Sequence, residues 1–413
     1  MLKTIITMKG NTNQYHYQSN QMHKPTPLQT NTSHSSQLSQ LSLIIITGLY
    51  SSTLLANNNE HFSISGGVNL IHQHSTVKTL KTDTTLSADL VLGYQQKNGL
   101  WTVHLEASNT PNSNGLSNTL LDSNADAGSA LNNRDRGRIQ LSEFSYQFFA
   151  TASTQITAGL VDATGFIDGA HIMNDENHNF ISPSLVNNLI IDFPDYVIGA
   201  AIEYQYNPKW SSRLFVSSTH GIADNSSRNY SSLFEVGEDE KGIFSALELG
   251  FKTENRFLNS GVWLHSGDHE ALNDNQKTDL SNYGVYLSAG LQESRHQYEL
   301  RFGWANPDVS AASEFASLAY QYSADHWDLG IGYSVTGLSD KLNSKPIEPS
   351  LTDNTSTANP AAQTLEVYWH KPISQNWHIT PSVQWFKNPL YASDEATLDS
   401  ELMTLNLRVN YEF

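Results

Sequence analysis

The chain contains no cysteine. This absence excludes a disulfide framework, a thiolate metal site and a cysteine nucleophile. Long apolar runs are also missing: hydrophobic residues make up 38% of the 413 residues, and the mean hydropathy is −0.41. A transmembrane helix needs roughly 20 consecutive, mostly apolar residues, and no stretch has that character. If the chain crosses a membrane, it must therefore cross as a β-barrel.

Basic residues are scarce as well. The chain has 23 Lys and Arg against 41 Asp and Glu, which gives a net charge of −18. An acidic protein repels nucleic acid and offers no basic patch for a phosphate backbone. We therefore expect no nucleic-acid partner.

The first 56 residues have the composition of a secretory leader. They include Lys3, Lys9 and Lys24 but no acidic residue, and they end in the apolar run LSLIIITGLYSSTLLA. The order of basic, apolar and small residues predicts a signal peptide cleaved after Ala56, with residues 57–413 forming one barrel domain. Without the leader, 20 basic residues face 41 acidic ones, a net charge of −21. The alternative is a disordered N-terminal tail with one buried apolar segment.

Apolar and polar residues alternate along most of the remaining chain. The end of the chain is the clearest case, because Leu405, Leu407, Val409, Tyr411 and Phe413 occupy every second position. Such alternation over about ten residues is typical of a tilted barrel strand, with one face toward lipid and the other toward water. Sixteen segments fit this pattern: residues 62–71, 84–96, 100–109, 138–149, 153–163, 196–206, 209–218, 242–252, 257–266, 282–291, 295–305, 314–323, 326–336, 363–371, 377–387 and 402–413.

The links between these segments alternate in length. Short links follow the even-numbered segments, whereas long polar links follow most of the odd-numbered ones. A soluble β-sandwich also alternates polar and apolar residues, but it has no reason to sort its loops in this way. Short periplasmic turns and long external loops explain the pattern, so we predict an all-β, sixteen-stranded antiparallel transmembrane barrel. Aromatic residues near the predicted strand ends agree with interfacial girdles: Trp101, Tyr206, Trp210, Phe251, Tyr298, Tyr322, Trp327, Trp377 and Phe413.

Several charged residues fall on the inward face of the predicted strands. Charges of both signs around a water-filled lumen provide hydrogen-bonding walls for polar solutes. The alternative for each residue is a solvated charge or one paired for structural reasons. The set is Glu203, Arg213, Glu248, Glu299, Arg301, Glu366 and Arg408.

The link from Thr164 to Asp195 is the third external loop and is about thirty residues long. Unlike a solvated loop it is rich in apolar residues, including Phe166, Phe180 and Leu189, so we expect it to fold inward, pack on the wall and narrow the pore. The polar loops at 110–136 and 339–362 are instead expected to be solvated and mobile.

The segment DATGFIDGAHIMNDENHNFISPSLVNN at residues 162–188 resembles carbohydrate-selective porins of the OprB type. The resemblance continues through FSALELGF (244–251), NYGVYLSA (282–289), RFGWANPDVS (301–310), ITPSVQWFKNP (379–389) and the terminal LNLRVNYEF. It covers most of residues 140–413, whereas the part before residue 140 departs from the family's usual N-terminal region.

The resemblance implies a bacterial outer-membrane pore for small hydrophilic solutes such as sugars. Its partners would be outer-membrane lipid, the solutes and the barrel-insertion machinery, while assembly into homo-oligomers is left open. No cofactor or metal is implied. Lumen arginines, carboxylates and aromatic rings would contact the solute. By inward parity and loop position, the candidates are Arg213, Glu248, Trp263, Tyr286, Arg301, Arg408, Asp168, Asp175 and Glu176.

Two other functions are compatible with a barrel: an outer-membrane hydrolase acting on lipid or peptide, and a receptor or adhesin that presents its loops. Two groups of residues could serve a hydrolase or bind a metal. Neither group has a recognised catalytic or ligand spacing, so solvated loop residues are the favoured interpretation. The groups are His265, Ser266, Asp268 and His269, and His171, Asp175, Glu176 and His178.

Overall fold

The computed structural model describes residues 61–237, 241–274, 276–343, 360–389 and 400–413. The predicted leader and the middle of the 339–362 loop lie outside these residues. The described residues form sixteen antiparallel strands that close into one barrel, with neighbours in chain order. The strands are β1 (Phe62–Ser75), β2 (Asp83–Gln96), β3 (Gly99–Ser108), β4 (Ile139–Thr151), β5 (Thr154–Val161), β6 (Val197–Asn207), β7 (Trp210–Ser218), β8 (Ile243–Lys252), β9 (Arg256–His269), β10 (Leu280–Glu293), β11 (His296–Ala305), β12 (Ala312–Ser323), β13 (Asp328–Leu338), β14 (Ala362–Pro372), β15 (Trp377–Lys387) and β16 (Glu401–Glu412).

The first and last strands close the barrel. Their register runs from Gly67 opposite Glu412 to Ser75 opposite Thr404. This pairing removes the two free edges that an open sheet would expose to lipid. The predicted sixteen-stranded barrel is thus confirmed.

Helix is confined to short turns in the loops. In the described part of the chain these are α1 (Leu116–Thr119), α2 (Pro183–Val186) and three 3-10 turns at Ala163–Gly165, Ser231–Phe234 and Asp340–Asn343. None of these helices is long and apolar enough to cross a membrane.

The outer face of the barrel is apolar along the middle of the strands. Leu247, Val262 and Leu318 all point outward and are about half exposed. Aromatic rings pair along the rim that carries the short turns: the ring centroids of Phe62 and Tyr94 lie 4.5 Å apart, and those of Trp210 and Phe251, and of Trp377 and Tyr411, 4.9 Å apart. An apolar band bordered by aromatic rings matches the depth profile of a bilayer.

Leu318, in the middle of β12, provides a test of this orientation. It is 58% exposed on the outer face. We expect Leu318→Arg to lower the free energy of unfolding from phospholipid vesicles by about 2–4 kcal/mol, because the charge would enter hydrocarbon. Leu318→Ala is the control, since it removes the same contacts without adding charge. Equal, small effects of the two substitutions would contradict a lipid-facing position.

Candidate functional site

The candidate site lies inside the barrel, where two external loops fold into the lumen. L3 is residues 162–196, between β5 and β6, and contains α2. L2 is residues 109–138, between β3 and β4, and contains α1. Phe180 and Leu185 of L3 are fully buried against the barrel wall. L3 is the third external loop, and it folds inward as the sequence predicts.

Apolar contacts hold much of L3 against the wall. One cluster joins its second half to inward-facing aromatic residues of β7 to β12, and a smaller one joins Met173, Phe180 and Leu185 to β12 and β14. Inward glycines make room for this packing. A Cβ atom at Gly303 would lie 2.4 Å from Ile190 Cγ1, and one at Gly332 would lie 2.8 Å from the Phe180 ring. The wall is therefore shaped to receive the loop.

Glu299 on β11 binds three consecutive main-chain amides of L3. Its carboxylate accepts hydrogen bonds from the N–H groups of His171 (2.7 Å), Ile172 (2.9 Å) and Met173 (3.0 Å). Three amides converging on one carboxylate form a concave anion-binding turn of the chain. Charge-assisted bonds of this kind are about twice as strong as neutral ones, so Glu299 fixes this turn against the wall.

Two further carboxylates act in the same way. Glu366 on β14 accepts from the N–H groups of Ile181 (3.2 Å) and Ser182 (3.0 Å). Glu248 on β8 accepts from the Asp168 N–H at 3.0 Å and is also bound by another wall residue, since the Tyr286 hydroxyl donates to it at 2.9 Å. Carboxylates on three separate strands thus bind amides of L3 between Asp168 and Ser182.

The wall arginines bind the carbonyl groups of the same loop. Arg301 on β11 is fully buried. It donates to the Val186 carbonyl at 2.9 Å and to the Asp168 carbonyl at 3.1 Å. Its Nε atom also lies 3.2 Å from the Asp168 carboxylate. Arg408 on β16, also fully buried, donates to the carbonyl oxygens of Asn179, at 2.9 Å, and Glu176. These two arginines hold the loop and have no surface in contact with the lumen.

Arg213 differs because its side chain remains 27% exposed. It donates to the Glu203 carboxylate at 2.7 Å and to the Phe166 carbonyl, and it lies 3.5 Å from Glu248. Trp263 and Tyr286, in contrast, are each only 3% exposed beneath L3. Among the predicted solute contacts on the barrel strands, Arg213 is the one that the lumen reaches directly.

L2 is also folded into the barrel, so the prediction that residues 110–136 are solvated is wrong. Leu116 and Leu120 are fully buried with Phe386 and Leu402 of the wall. The polar residues are bound rather than hydrated: the Ser123 carbonyl accepts from the amide groups of two inward-facing glutamines, Gln73 on β1 at 3.0 Å and Gln384 on β15 at 3.1 Å.

The two loops also bind each other. The Ala125 N–H donates to the Ile181 carbonyl at 2.8 Å, and the Ser182 hydroxyl donates to the Asp122 carbonyl at the same distance. Both bonds lie beside the Glu366 anchor of L3. L2 and L3 therefore form one joined structure inside the barrel. The sequence analysis did not predict this, although Leu116 and Leu120 within the polar L2 segment were a sign that L2 packs against the wall.

The loop surface that stays half-buried is acidic. Glu176 lies close enough to Asp126, Asp175 and Asp89 for their charges to act on it. Withdrawal from water, reinforced by these neighbours, raises the pKa of Glu176 to about 8. Burial likewise raises the pKa values of Asp126 and Asp162 to about 6. The negative charge of the constriction therefore grows as the pH rises from 5 to 9.

A further acidic residue of L3, Asp168, lies near the start of the loop. Asp168 is almost fully buried; burial raises the pKa of its carboxyl to about 6, against the opposing effect of the Arg301 guanidinium. The three loop acids predicted to line the pore thus differ in burial. Asp168 is buried, whereas Asp175 and Glu176 are only half-buried.

The two groups considered for a hydrolase are assembled only in part: the rings of His265 and His269 lie 4.7 Å apart, and His178 Nδ1 lies 3.0 Å from Asp175 Oδ2, but Ser266 and His171 lie apart from them. Along β9, His265 points inward whereas Ser266 points outward, and the Ser266 hydroxyl accepts from the Ile243 N–H at 2.8 Å. In L3, the His171 ring packs on Phe257, 4.9 Å between centroids, away from His178. Metal-ligand spacing does occur within the described residues, in three groups whose ligand atoms lie within 4.8 Å of one another: His178, His378 and Glu412; Asp192, His265 and His269; and Asp89, His104 and Glu106.

Residues 74–404 match the OprB family of carbohydrate-selective porins. The chain belongs to this family. It is 25% identical over 179 residues to an uncharacterised protein of Aquifex aeolicus (strain VF5), a match that spans 41% of this chain and about half (54%) of that protein.

Solved structures show a similar fold. The high-pH structure of Pseudomonas putida OprB aligns with a TM-score of 0.67 and 9% identity over 88% of this chain and 96% of that one. A mutant of the Rh. blastica porin aligns with a TM-score of 0.48 and 11% identity over 85% of this chain and all of that one. Family membership, together with the barrel fold, places the protein in the bacterial outer membrane.

Removing the Glu299 anchor tests how L3 is held. We expect Glu299→Ala to raise the single-channel conductance and the current noise, because three main-chain N–H groups, two of them on buried residues, lose their acceptor at a cost of about 3 kcal/mol. Planar-bilayer recording measures both quantities. Glu293→Ala, which removes an exposed carboxylate at the end of β10, is the control. A Glu299→Ala channel with native conductance and noise would show that L3 does not depend on this carboxylate.

The raised pKa of Glu176 predicts pH-dependent ion selectivity. The carboxyl is neutral well below pH 8 and charged above it, so the preference for K⁺ over Cl⁻ should increase between pH 7 and pH 9. The reversal potential across a KCl gradient reports this preference. Glu176→Gln should flatten the change in this interval, while the change near pH 6 from Asp126 and Asp162 should persist. An identical pH profile in the two proteins would refute the assignment.

Proposed function

We propose that this chain forms a water-filled pore in the bacterial outer membrane, through which small neutral polar solutes, carbohydrates above all, diffuse passively. The observation that carries the proposal is the binding of L3 across the lumen by charged wall residues. A loop held in this way forms a fixed constriction, which fits passive diffusion better than active transport. Family membership supports the same function.

The solute-facing group that we propose is Arg213, Glu203 and Phe166. Arg213 and Glu203 form an ion pair while each remains about 30% exposed, so both can still exchange hydrogen bonds with a passing solute. Phe166 is partly buried and stacks on Phe215 with 5.2 Å between ring centroids. Neighbouring hydroxyl groups of a sugar need donors and acceptors side by side, and its apolar face fits an aromatic ring.

For the other five predicted contacts on the strands we propose a supporting role. Glu248, Arg301 and Arg408 bind the main chain of L3, and Trp263 and Tyr286 pack beneath it. A solute can reach these five side chains only after L3 moves. Their direct contact with sugar stays a prediction.

We also propose that the protein is not an enzyme. Ser266 and His265 lie on opposite faces of β9, which is incompatible with transfer of a proton between them. The apolar outer face supports contact with outer-membrane lipid. Insertion by the barrel-insertion machinery and assembly with further copies stay predictions that the family resemblance supplies.

Sugar-dependent current block in planar bilayers tests the pore and its solute contact together. The native protein should give stable channels whose current falls as neutral saccharides are added. Arg213→Ala should weaken the apparent saccharide affinity about 10- to 100-fold, because a charge-assisted hydrogen bond contributes about 1.5–3 kcal/mol. Arg256→Ala, which removes an exposed arginine at the periplasmic start of β9, should leave the affinity unchanged.

Two outcomes would contradict the proposal. A closed bilayer record together with loop-dependent binding of another molecule would favour a receptor or adhesin. Open channels that no saccharide blocks would keep the pore and refute carbohydrate as its solute.

A further inference from the structure

A cluster of histidine and carboxylate side chains joins L3 to the last two strands. His178 of L3 places its Nε2 atom 2.7 Å from Glu412 Oε1 on β16, and His378 on β15 places its Nε2 atom 4.0 Å from the other oxygen of the same carboxylate. The three ligand atoms all lie within 4.8 Å of one another. Elements separated by some 200 residues in sequence thus converge on one point of the inner wall.

The remaining ring nitrogens of the cluster have partners of their own. His178 Nδ1 lies 3.0 Å from Asp175 Oδ2, and His378 Nδ1 lies 3.3 Å from His370 Nε2. The chain of contacts ends at the Thr380 hydroxyl, 3.0 Å from His370 Nδ1. A proton on the Nδ1 atom of each ring satisfies all of these contacts. In the metal-free protein the 2.7 Å contact between His178 Nε2 and Glu412 Oε1 holds one further proton, and release of that proton on metal binding would leave lone pairs on the Nε2 atoms of His178 and His378 facing Glu412.

This arrangement is that of a metal site with its supporting shell. Metal-binding histidines normally donate their second N–H group to a carboxylate or another acceptor, which fixes the ring and its tautomer. Asp175 fills that role for His178, and His370 fills it for His378. Two imidazole nitrogens and one carboxylate are a donor set that favours Zn²⁺ and similar divalent metals over Ca²⁺ or Mg²⁺, which prefer oxygen.

The cluster can be reached from the lumen. The side chains of His178, His378 and Glu412 are 30%, 13% and 38% exposed. His378 is the second residue of β15 and Glu412 the last residue of β16, so the cluster lies near the periplasmic end of the barrel. An ion diffusing through the pore can enter it without displacing the loop.

We propose that His178, His378 and Glu412 bind a divalent transition metal, for which Zn²⁺ is the best chemical match. The three protein ligands leave a fourth position open to solvent in the lumen. In the metal-free arrangement His178 and Glu412 contact each other directly, so the metal takes the place between them. Since His178 belongs to L3, the bound metal fastens the constriction loop to β15 and β16.

The other two groups with ligand spacing fit a metal less well. Asp89, His104 and Glu106 provide one imidazole, whose two nitrogens are both already engaged by carboxylates, at 2.9 Å from Asp89 and 3.3 Å from Glu143. Asp192, His265 and His269 also provide two imidazoles and a carboxylate, but His265 is only 3% exposed, and the Asp192 oxygen that faces His269 already accepts a hydrogen bond from the Asn282 amide at 3.2 Å. Of the three groups, only the cluster at Glu412 has no fully buried ligand.

Calorimetric titration of Zn²⁺ into tag-free, chelator-treated protein in detergent tests the site. The native protein should bind one equivalent. His378→Ala and Glu412→Gln should each abolish measurable binding, and Asp175→Asn should weaken it about 10- to 100-fold. His171→Ala is the matched control, because it removes a histidine from the same loop outside the cluster, and it should bind as the native protein does.

Each variant is first checked for a folded barrel by its heat-dependent gel migration. If His378→Ala does not fold, Glu412→Gln decides, since it keeps the size and hydrogen bonding of the side chain. The proposal is overturned if the native protein binds no Zn²⁺, if Ca²⁺ competes at equal concentration, or if Glu412→Gln binds normally. Binding that His269→Ala removes instead would place the metal at the Asp192 group and refute the site at Glu412.

Discussion

Hydrogen bonding between charged wall side chains and the main chain of L3 is the interaction on which this pore depends. A loop inside a barrel has no neighbouring strand to satisfy its N–H and C=O groups, and buried charges likewise need partners. In this pore the main chain of L3 and the charged wall residues are partners for each other. The wall carboxylates accept hydrogen bonds from the loop amides, and the wall arginines donate to the loop carbonyls; the residues are Glu248, Glu299, Glu366, Arg301 and Arg408. Without these bonds neither the loop nor the charges would be stable where they are.

Much of the barrel could be predicted from the sequence because the rule behind it is local. A period of two residues assigns every strand residue to a face, so inward positions such as Arg213, Glu299 and Arg408 follow from parity alone. Turn lengths then separate the two rims, and an even strand number closes the sheet. The inward path of L3 was predictable for a similar reason, because residues such as Phe180 and Leu185 would be costly to leave in water.

The partners of those inward residues could not be predicted, since they depend on the path of a loop that follows no periodic rule. Parity places Arg301 in the lumen but does not say that Val186 and Asp168 will cover it. L2 shows the same limit from the other side. Its Asn, Ser and Asp content is typical of a solvated loop, yet Ser123 and Asn124 are buried against the wall. Composition does not distinguish polar groups that bind water from those that bind protein.

The anchors of L3 recognise mainly backbone atoms, and almost any residue supplies the same N–H and C=O groups. Substitutions at the side chains that face the pore can therefore accumulate while the course of the loop stays fixed. Different residues therefore determine the two properties of the constriction: the wall side chains fix its course, and the pore-facing side chains of the loop set its chemical character. Solute preference can then change without remodelling the barrel, as long as the loop keeps the apolar side chains, such as Phe180 and Ile190, that fit against the inward glycines.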